Sequence, residues 1–371
     1  MNTYSLKNVR RQFEDLCESY GYNYSSIPMF ADASLYEQYK GMPDEKYVKF
    51  IDRNAQVKVI RPDATFHVLK SISEDHHLRH HKMYYTTEII REHAVHSQYG
   101  IESFNDESAL CDSEVIAVAI SSLIRCGFDT IRADIGHAGY VSALIDEINC
   151  IPDESKNAVS SLIAKKNTVQ LEDMLLGFGA TKGEIRKLSE VCMLFGEYDD
   201  VIKTAEEFAV NERMINAVNE IKAIYECLTS FGYEKYVFLD MGFANEMDYY
   251  SGMMFKIYSD KAAKAVINGG RYDELAKRFA GVTSACGFGA DMDIIASIYD
   301  LSIGEENNVV TITSPPSVHK YVIAIAELLR QSGYKINVIN GNELSYEYMG
   351  TKKDGLPTEY DLMELKNAKQ K

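Results

Sequence analysis

Strand-like segments in this 371-residue chain come in runs that helical stretches interrupt; they do not alternate one strand with one helix. That order constrains the fold more than any other feature. Strict alternation leads to a parallel, doubly wound sheet, whereas runs of strands close together in sequence lead to an antiparallel sheet with helices laid on it, the α+β class. Leu6, Val9, Phe13, Leu16, Cys17 and Tyr20 recur at three and four residues, which predicts an opening amphipathic helix ended by Gly21. Lys46–Ile51 and Gln56–Ile60 read as a hairpin about Asp52-Arg53-Asn54, Ala64–Ser71 as a short helix entered from Arg61-Pro62-Asp63, and Met83–Arg91 with Ser97–Phe104 as an antiparallel pair. A helix over Glu107–Arg125 ends at Gly127, and Thr130–Ile135 reads as a strand.

From Tyr140 to about Tyr233 nearly every segment has a helical period, including Ala158–Lys165, Val169–Leu176, Lys182–Phe195 and Ala205–Ser230, so a helical insertion is expected there. Strands return at Lys235–Asp240, Met253–Tyr258 and Ala265–Ile267, followed by a Gly269-Gly270 turn and helices over Tyr272–Phe279 and Asp291–Tyr299. Ser302–Asn308 reads as a linker, which divides a core of residues 1–301 from a short C-terminal α/β region, 302–371. In that region Val309–Thr313, Ser317–Ser332 and Tyr334–Ile339 make one β-α-β unit, and beyond Asn340 the pattern fades.

With 46% hydrophobic and 25% charged residues the chain has the composition of an ordinary folded protein, large enough for a sizeable core. Its net charge of −16, with no block of five or more Lys or Arg, disfavours nucleic acid as a partner, because phosphate binding draws its affinity from a basic face. Seven scattered cysteines without a C-x-x-C pair fit reduced thiols in the cytoplasm. The longest apolar stretch, Val115–Ile124, is broken by Ser121 and Ser122, and no signal peptide stands at the N-terminus, so no membrane partner is expected.

Phosphate loops, dinucleotide fingerprints, zinc-protease motifs and nucleophile elbows are all absent, which leaves no sequence anchor for a cofactor or a common hydrolase site. The run His76-His77-Leu78-Arg79-His80-His81 puts histidines at i, i+4, yet it lacks a carboxylate or Cys at ligand spacing and Arg79 would repel a cation. A solvated loop is the simpler reading, and no metal is expected.

Four segments carry more information: Arg61-Pro62-Asp63-Ala64-Thr65; Arg91 with Gln98-Tyr99-Gly100-Ile101-Glu102; Asp248-Tyr249-Tyr250-Ser251-Gly252; and Gly269-Gly270-Arg271-Tyr272-Asp273 leading to Gly287-Phe288-Gly289. In order and spacing they resemble the catalytic core of the histidyl-tRNA synthetases, class II aminoacyl-tRNA synthetases, over about Leu6 to Asp300. The resemblance implies an antiparallel class II sheet flanked by helices and a histidine pocket made of Asp63, Thr65, Arg91, Gln98, Glu102, Tyr249, Tyr250 and Tyr272. In it Asp63 and Gln98 stand near the ammonium, Glu102 contacts the imidazole, and tyrosines form the walls. Such a set makes chemical sense, with carboxylates for a cation, amide and phenol groups for orientation, and an aromatic slot for a flat ring.

The ATP side of the resemblance is dismantled. Amino-acid activation needs fixed cations on the phosphates. Asn245 and Glu246 stand where the synthetases have an Arg, Ile294 stands where their third motif ends in Arg, and only the six residues Glu92 to Ser97 separate Arg91 from Gln98, where the synthetases carry a long basic loop. An intact amino-acid side without an ATP side implies a sensor with no catalytic residues. The chain is most similar to the regulatory subunits of ATP phosphoribosyltransferase, with which Asp134-Ile135-Gly136-His137 also agrees; read from the residues alone, that stretch is a strand end, a Gly turn and a helix. The resemblance implies a histidine-sensing partner of the short catalytic phosphoribosyltransferase, built on a dimer of this chain. The rival readings are a divergent histidyl-tRNA synthetase or other amino-acid-activating ligase, and a tRNA-binding or kinase-regulating pseudo-synthetase.

Overall fold

The computed structural model describes residues 3–37, 48–74, 81–91, 94–243, 250–299, 309–332, 334–348 and 351–358. It divides into a unit of Met1–Tyr299 and a unit of Asp300–Lys371. At the centre of the first lies a nine-stranded sheet in the order Asn23–Tyr24, His81–Arg91, Ala94–Phe104, Ala285–Asp291, Ile267–Arg271, Met253–Ser259, Ile131–His137, Val237–Asp240 and Phe195–Glu197. Two neighbour pairs are parallel, Asn23–Tyr24 with Met83–Tyr84 and Ile131–His137 with Val237–Asp240, and the rest are antiparallel. The class is α+β.

One face of this sheet is the main core. Met253, Phe255 and Ile257 alternate onto it with Ala133, Ile135, Phe288 and Ile101, all nearly fully buried. Helices Thr3–Ser19, Ala109–Arg125 and Glu212–Phe231 cover that face. Phe13 of the opening helix stacks on Tyr99 at 3.9 Å between ring centroids, which ties the helix to the middle of the sheet. With that face filled, the alternate residues of the same strands are left for another purpose.

Several elements differ from their sequence reading, each for a physical reason. Gly269 and Gly270 form no turn; they lie inside the strand Ile267–Arg271, where a Cβ on Gly269 would meet the Phe255 ring at 2.6 Å. Ala285–Asp291, which carries Gly287-Phe288-Gly289, is a central strand that glycine content disguised. The strand over Ile131–His137 runs straight through Gly136, and the His137 side chain caps the next helix, Ala138–Asp146. Ala94–Ser97 belongs to a strand, so Arg91 pairs directly with Ala94 and no six-residue loop intervenes.

The insertion is helical, with Lys156–Ala164, Thr168–Phe178, Lys182–Cys192, Tyr198–Phe208 and Glu212–Phe231, and it is not wholly so. The helix from Lys182 stops at Cys192, and Phe195–Glu197 then adds an edge strand against Val237–Asp240. Ala205–Ser230 is two helices, parted where the Asn211 side chain accepts the Met214 amide and opens the second.

A separate three-stranded sheet, Phe30–Asp32, Val57–Ile60 and Lys49–Ile51, precedes the helix Ala64–Glu74. Within the second unit, Lys335–Asn340, Val309–Ser314, Ser345–Tyr348 and Thr351–Asp354 form a four-stranded sheet, so two strands follow Asn340 where the sequence pattern fades. Val322 and Ala326 of helix His319–Gln331 pack on Val310, Ile312, Ile336 and Tyr346.

Candidate functional site

Opposite the main core, four strands of the sheet form a floor. Gln98, Gly100 and Glu102 share that face; across the register Asp291, Gly289 and Gly287 stand opposite them, then Asn268 and Gly270, then Lys256 and Met254. The glycines are needed because functional side chains lie over them. A Cβ on Gly287 would stand 1.9 Å from Glu102 Oε2, and one on Gly289 2.1 Å from Gln98 Nε2.

Above the floor is a cavity of about 490 Å³. Asp63, Thr65, Arg91, Gln98, Glu102, Tyr250 and Tyr272 all line it, and the eighth residue of the expected set, Tyr249, lies outside the described residues. These seven come from four separate stretches of chain.

Arg61, in the first of those stretches, is buried and structural. Its Nε and Nη2 donate to the Glu88 carbonyl (3.0 and 2.7 Å) and its Nη1 to those of Ile27 and Pro28 (2.6 and 2.7 Å). This clasp holds the turn that presents Asp63. Asp63 Oδ1 accepts the Thr65 amide at 2.8 Å, and Oδ2 accepts Arg91 Nη2 at 2.7 Å, while Arg91 Nε donates to the Pro62 carbonyl at 2.6 Å. Asp63 is therefore an anion already held by a guanidinium.

Glu102 is fully buried. Burial pushes its carboxyl up to about 8, against hydrogen bonds from the Tyr272 and Thr65 hydroxyls, and the nearby Asp63 carboxylate pushes the same way as burial. At neutral pH Glu102 thus keeps a proton that it can give to or share with a ligand nitrogen. Gln98 Oε1 is buried and has no hydrogen-bond partner among the described residues, so the site holds an acceptor that awaits an N–H donor. A protonated carboxyl beside an orphan amide oxygen and two phenols suits a small polar ring with both a donor and an acceptor.

The third and fourth segments divide between site and support. Tyr272 enters the cavity, but Arg271 turns the other way into a buried pair with Asp112, at 2.6 Å from Nη2 and 3.3 Å from Nε, and also meets Asp273 at 3.2 Å. No sequence motif marks Asp112, which sits in the first turn of helix Ala109–Arg125. His137 Nδ1 accepts the Gly139 amide at 3.0 Å, so Nε2 carries the proton and donates to Glu220 at 2.8 Å.

Residues that sequence reasoning left out also line the cavity, notably Phe243, Lys256, Lys264, Asn268 and Asp291. Lys256 had a readable signal: it is a lone charge between Phe255 and Ile257, which are 1% and 0% exposed, on a central strand. Ile294 does not line the cavity; it packs against the main core, and its amide donates to Asp291 Oδ1 at 3.1 Å. Asn245 and Glu246 lie outside the described residues, as do His76 to His80 of the histidine run. Among the described residues no group of three or more His, Cys, Asp or Glu side chains is placed to hold a metal, and no helix is long and apolar enough to cross a membrane.

Residues 1–295 match the family model described as histidyl-tRNA synthetase. An ATP phosphoribosyltransferase regulatory subunit from Oceanobacillus iheyensis is 29% identical over 339 residues, 89% of this chain and 83% of its own length. Another of the same name, from Clostridium kluyveri, is 30% identical over 274 residues, 69% of this chain and 68% of its own. Among solved structures, an ATP phosphoribosyltransferase regulatory subunit/histidyl-tRNA synthetase from Bacillus halodurans superposes with a TM-score of 0.80 at 24% identity, over 91% of this chain and 89% of that one. A chain of the ATP phosphoribosyl transferase (HisG:HisZ) complex from Thermotoga maritima gives a TM-score of 0.61 at 19% identity, over 78% of this chain and 98% of that one.

Proposed function

Because the chain belongs to the family of ATP phosphoribosyltransferase regulatory subunits, built on the histidyl-tRNA synthetase core, we propose that it binds L-histidine in the Glu102 cavity and sets the activity of a separate, short catalytic phosphoribosyltransferase. The first step of histidine biosynthesis is carried out by that partner. This chain activates it, and histidine reverses the activation.

One observation carries the reading: Asp63, Thr65, Arg91, Gln98, Glu102, Tyr250 and Tyr272, expected to contact histidine, line a single cavity. Its chemistry suits an imidazole: the Glu102 proton meets the ring's acceptor nitrogen, and the Gln98 oxygen, which the resemblance puts near the ammonium, is assigned to the ring's N–H instead. The ATP side supports the same conclusion. Ile294 is apolar and packs against the main core, and Ala94 to Ser97 are paired strand residues, so neither stretch supplies a cation for a triphosphate.

Histidine changes the partner only through a difference in its affinity for two states of the complex, which is a coupling free energy. The working assembly contains a dimer of this chain, in the cytoplasm, in keeping with seven free cysteines. Nucleic acid plays no part in it. The direct test pairs two assays on the purified chain. Calorimetry should detect L-histidine binding, and pyrophosphate exchange with ATP and histidine should stay at background; exchange at synthetase-like rates would establish the ligase reading instead.

A further inference from the structure

The cavity has a second end. Lys256, Asn268, Gly289 and Gly100 form one row across the floor, so three strand-to-strand steps separate Lys256 from the strand that carries Gln98 and Glu102. At about 4.8 Å per step the separation is roughly 14 Å between backbones. Side chains reaching inward from both ends leave room for one extended amino acid with a hydrogen bond at each end.

The charges around this space leave one cation over. Asp63 is paired with Arg91 at 2.7 Å, and Asp291 with Lys264 at 3.3 Å. Asp134, the cross-strand neighbour of Lys256, is bound to Arg132. Glu102 holds its proton. With histidine counted neutral, Lys256 is the one charged lining residue that makes no ion pair among the described residues; its ammonium stands 5.0 Å from the Phe243 ring centroid, half-buried. Arg91 has its Nε and Nη2 engaged by Pro62 and Asp63, and the Lys264 side chain is 70% exposed beside its own carboxylate. A half-buried ammonium without a counter-ion is an anion site in waiting.

We propose that Lys256 is the carboxylate anchor of the cavity: an amino acid with its ring at Glu102 and Gln98 lays its α-carboxylate toward the Lys256 ammonium. Lys256 then decides between the amino acid and analogues that lack the carboxylate. The inference rests on the amino-acid-binding reading above and adds to it a residue that the reading does not contain.

Titration calorimetry of the full chain with L-histidine and with histamine, which keeps the ring and the amine and lacks the carboxylate, tests it near neutral pH. Wild type should prefer histidine by about tenfold or more, as a charge-assisted contact provides. Lys256→Met should bring the two affinities within about twofold of each other by lowering that for histidine, and Lys256→Arg should keep the preference. An unchanged histidine-to-histamine ratio in Lys256→Met overturns the anchor and leaves the amino-acid reading standing. Failure of wild type to bind either compound overturns both. If Lys256→Met loses histamine as well, Lys256→Arg decides: a kept preference supports the anchor, and a lost one overturns it.

Discussion

The Tyr272 hydroxyl donates a hydrogen bond to Glu102 Oε2 across 170 residues of chain, inside a site where both side chains are closed off from water. Burial lifts the Glu102 carboxyl to about 8. A free imidazole titrates at about 6.5, so between those values the empty site holds one proton, the free ligand ring none, and the bound pair one. Binding in that window exchanges no proton. Below it the free ring must lose a proton on binding, and above it Glu102 must regain one, so affinity for L-histidine should be flat from about pH 6.5 to about pH 8 and fall on both sides, at most tenfold per pH unit. Calorimetry across pH checks this; affinity that keeps rising below about pH 6 contradicts it.

The same carboxyl makes stability pH-dependent in the empty protein. Its folded value lies above the ordinary 4.5, so between about 4.5 and 8 the native state keeps a proton that the unfolded chain has lost. Native then binds more protons than unfolded, and stability falls as pH rises through that window, by at most about 1.4 kcal/mol per unit. Glu102→Gln removes this contribution. Melting curves of the variant should gain on wild type steadily from about pH 5 to about pH 8; parallel profiles would mean that Glu102 ionises normally.

Two glycines of the floor should separate fold from site. At Gly289 an added methyl meets the end of the Gln98 side chain, which can swing away, whereas at Gly287 it meets the Ile101 carbonyl at 2.3 Å as well as Glu102. Gly289→Ala is expected to leave the melting temperature nearly unchanged while weakening histidine by on the order of 1–3 kcal/mol, as Gln98 leaves its place. Gly287→Ala should cost stability outright, since backbone must shift. Equal effects on melting and binding at both positions would refute this division.

The Arg271–Asp112 pair makes a prediction of a different kind. Both side chains are about 6–7% exposed, and burial raises the Asp112 carboxyl while the guanidinium opposes that shift. Removing Asp112 leaves the buried guanidinium with Asp273 as its remaining counter-ion, so Asp112→Ala should destabilise by up to about 3–5 kcal/mol. Chemical denaturation measures it; a loss under about 1 kcal/mol would show that water reaches Arg271.

Much of this molecule was legible from residue order. The Phe13 face of the opening helix, the hairpin after Ile51 and the strand over Met253–Ser259 follow from periodicity, because each buries one face and exposes or spares the other. The segments around Asp63, Gln98, Tyr250 and Tyr272 signalled a shared site. What stayed hidden has local causes. The strand Ala285–Asp291 gives up β-branched residues at Gly287 and Gly289 so that Glu102 and Gln98 can lie on it, which erases the strand signal where function is densest. Phe195–Glu197 is a strand only because Val237–Asp240 is there to receive it. Asp112 reads as an ordinary first-turn acid until Arg271 arrives from far along the chain.

The regulatory role itself is tested most directly by reconstitution with the short catalytic phosphoribosyltransferase. The two purified proteins should co-elute, the catalytic chain should gain activity when this chain is added, and L-histidine should reverse the gain in wild type but not with Glu102→Ala, whose pocket has no proton donor at that position. By linkage, substrates that favour the active state should weaken histidine binding to the complex by the factor with which histidine weakens theirs. Separate elution with phosphoribosyl transfer unchanged by either this chain or histidine would contradict the account.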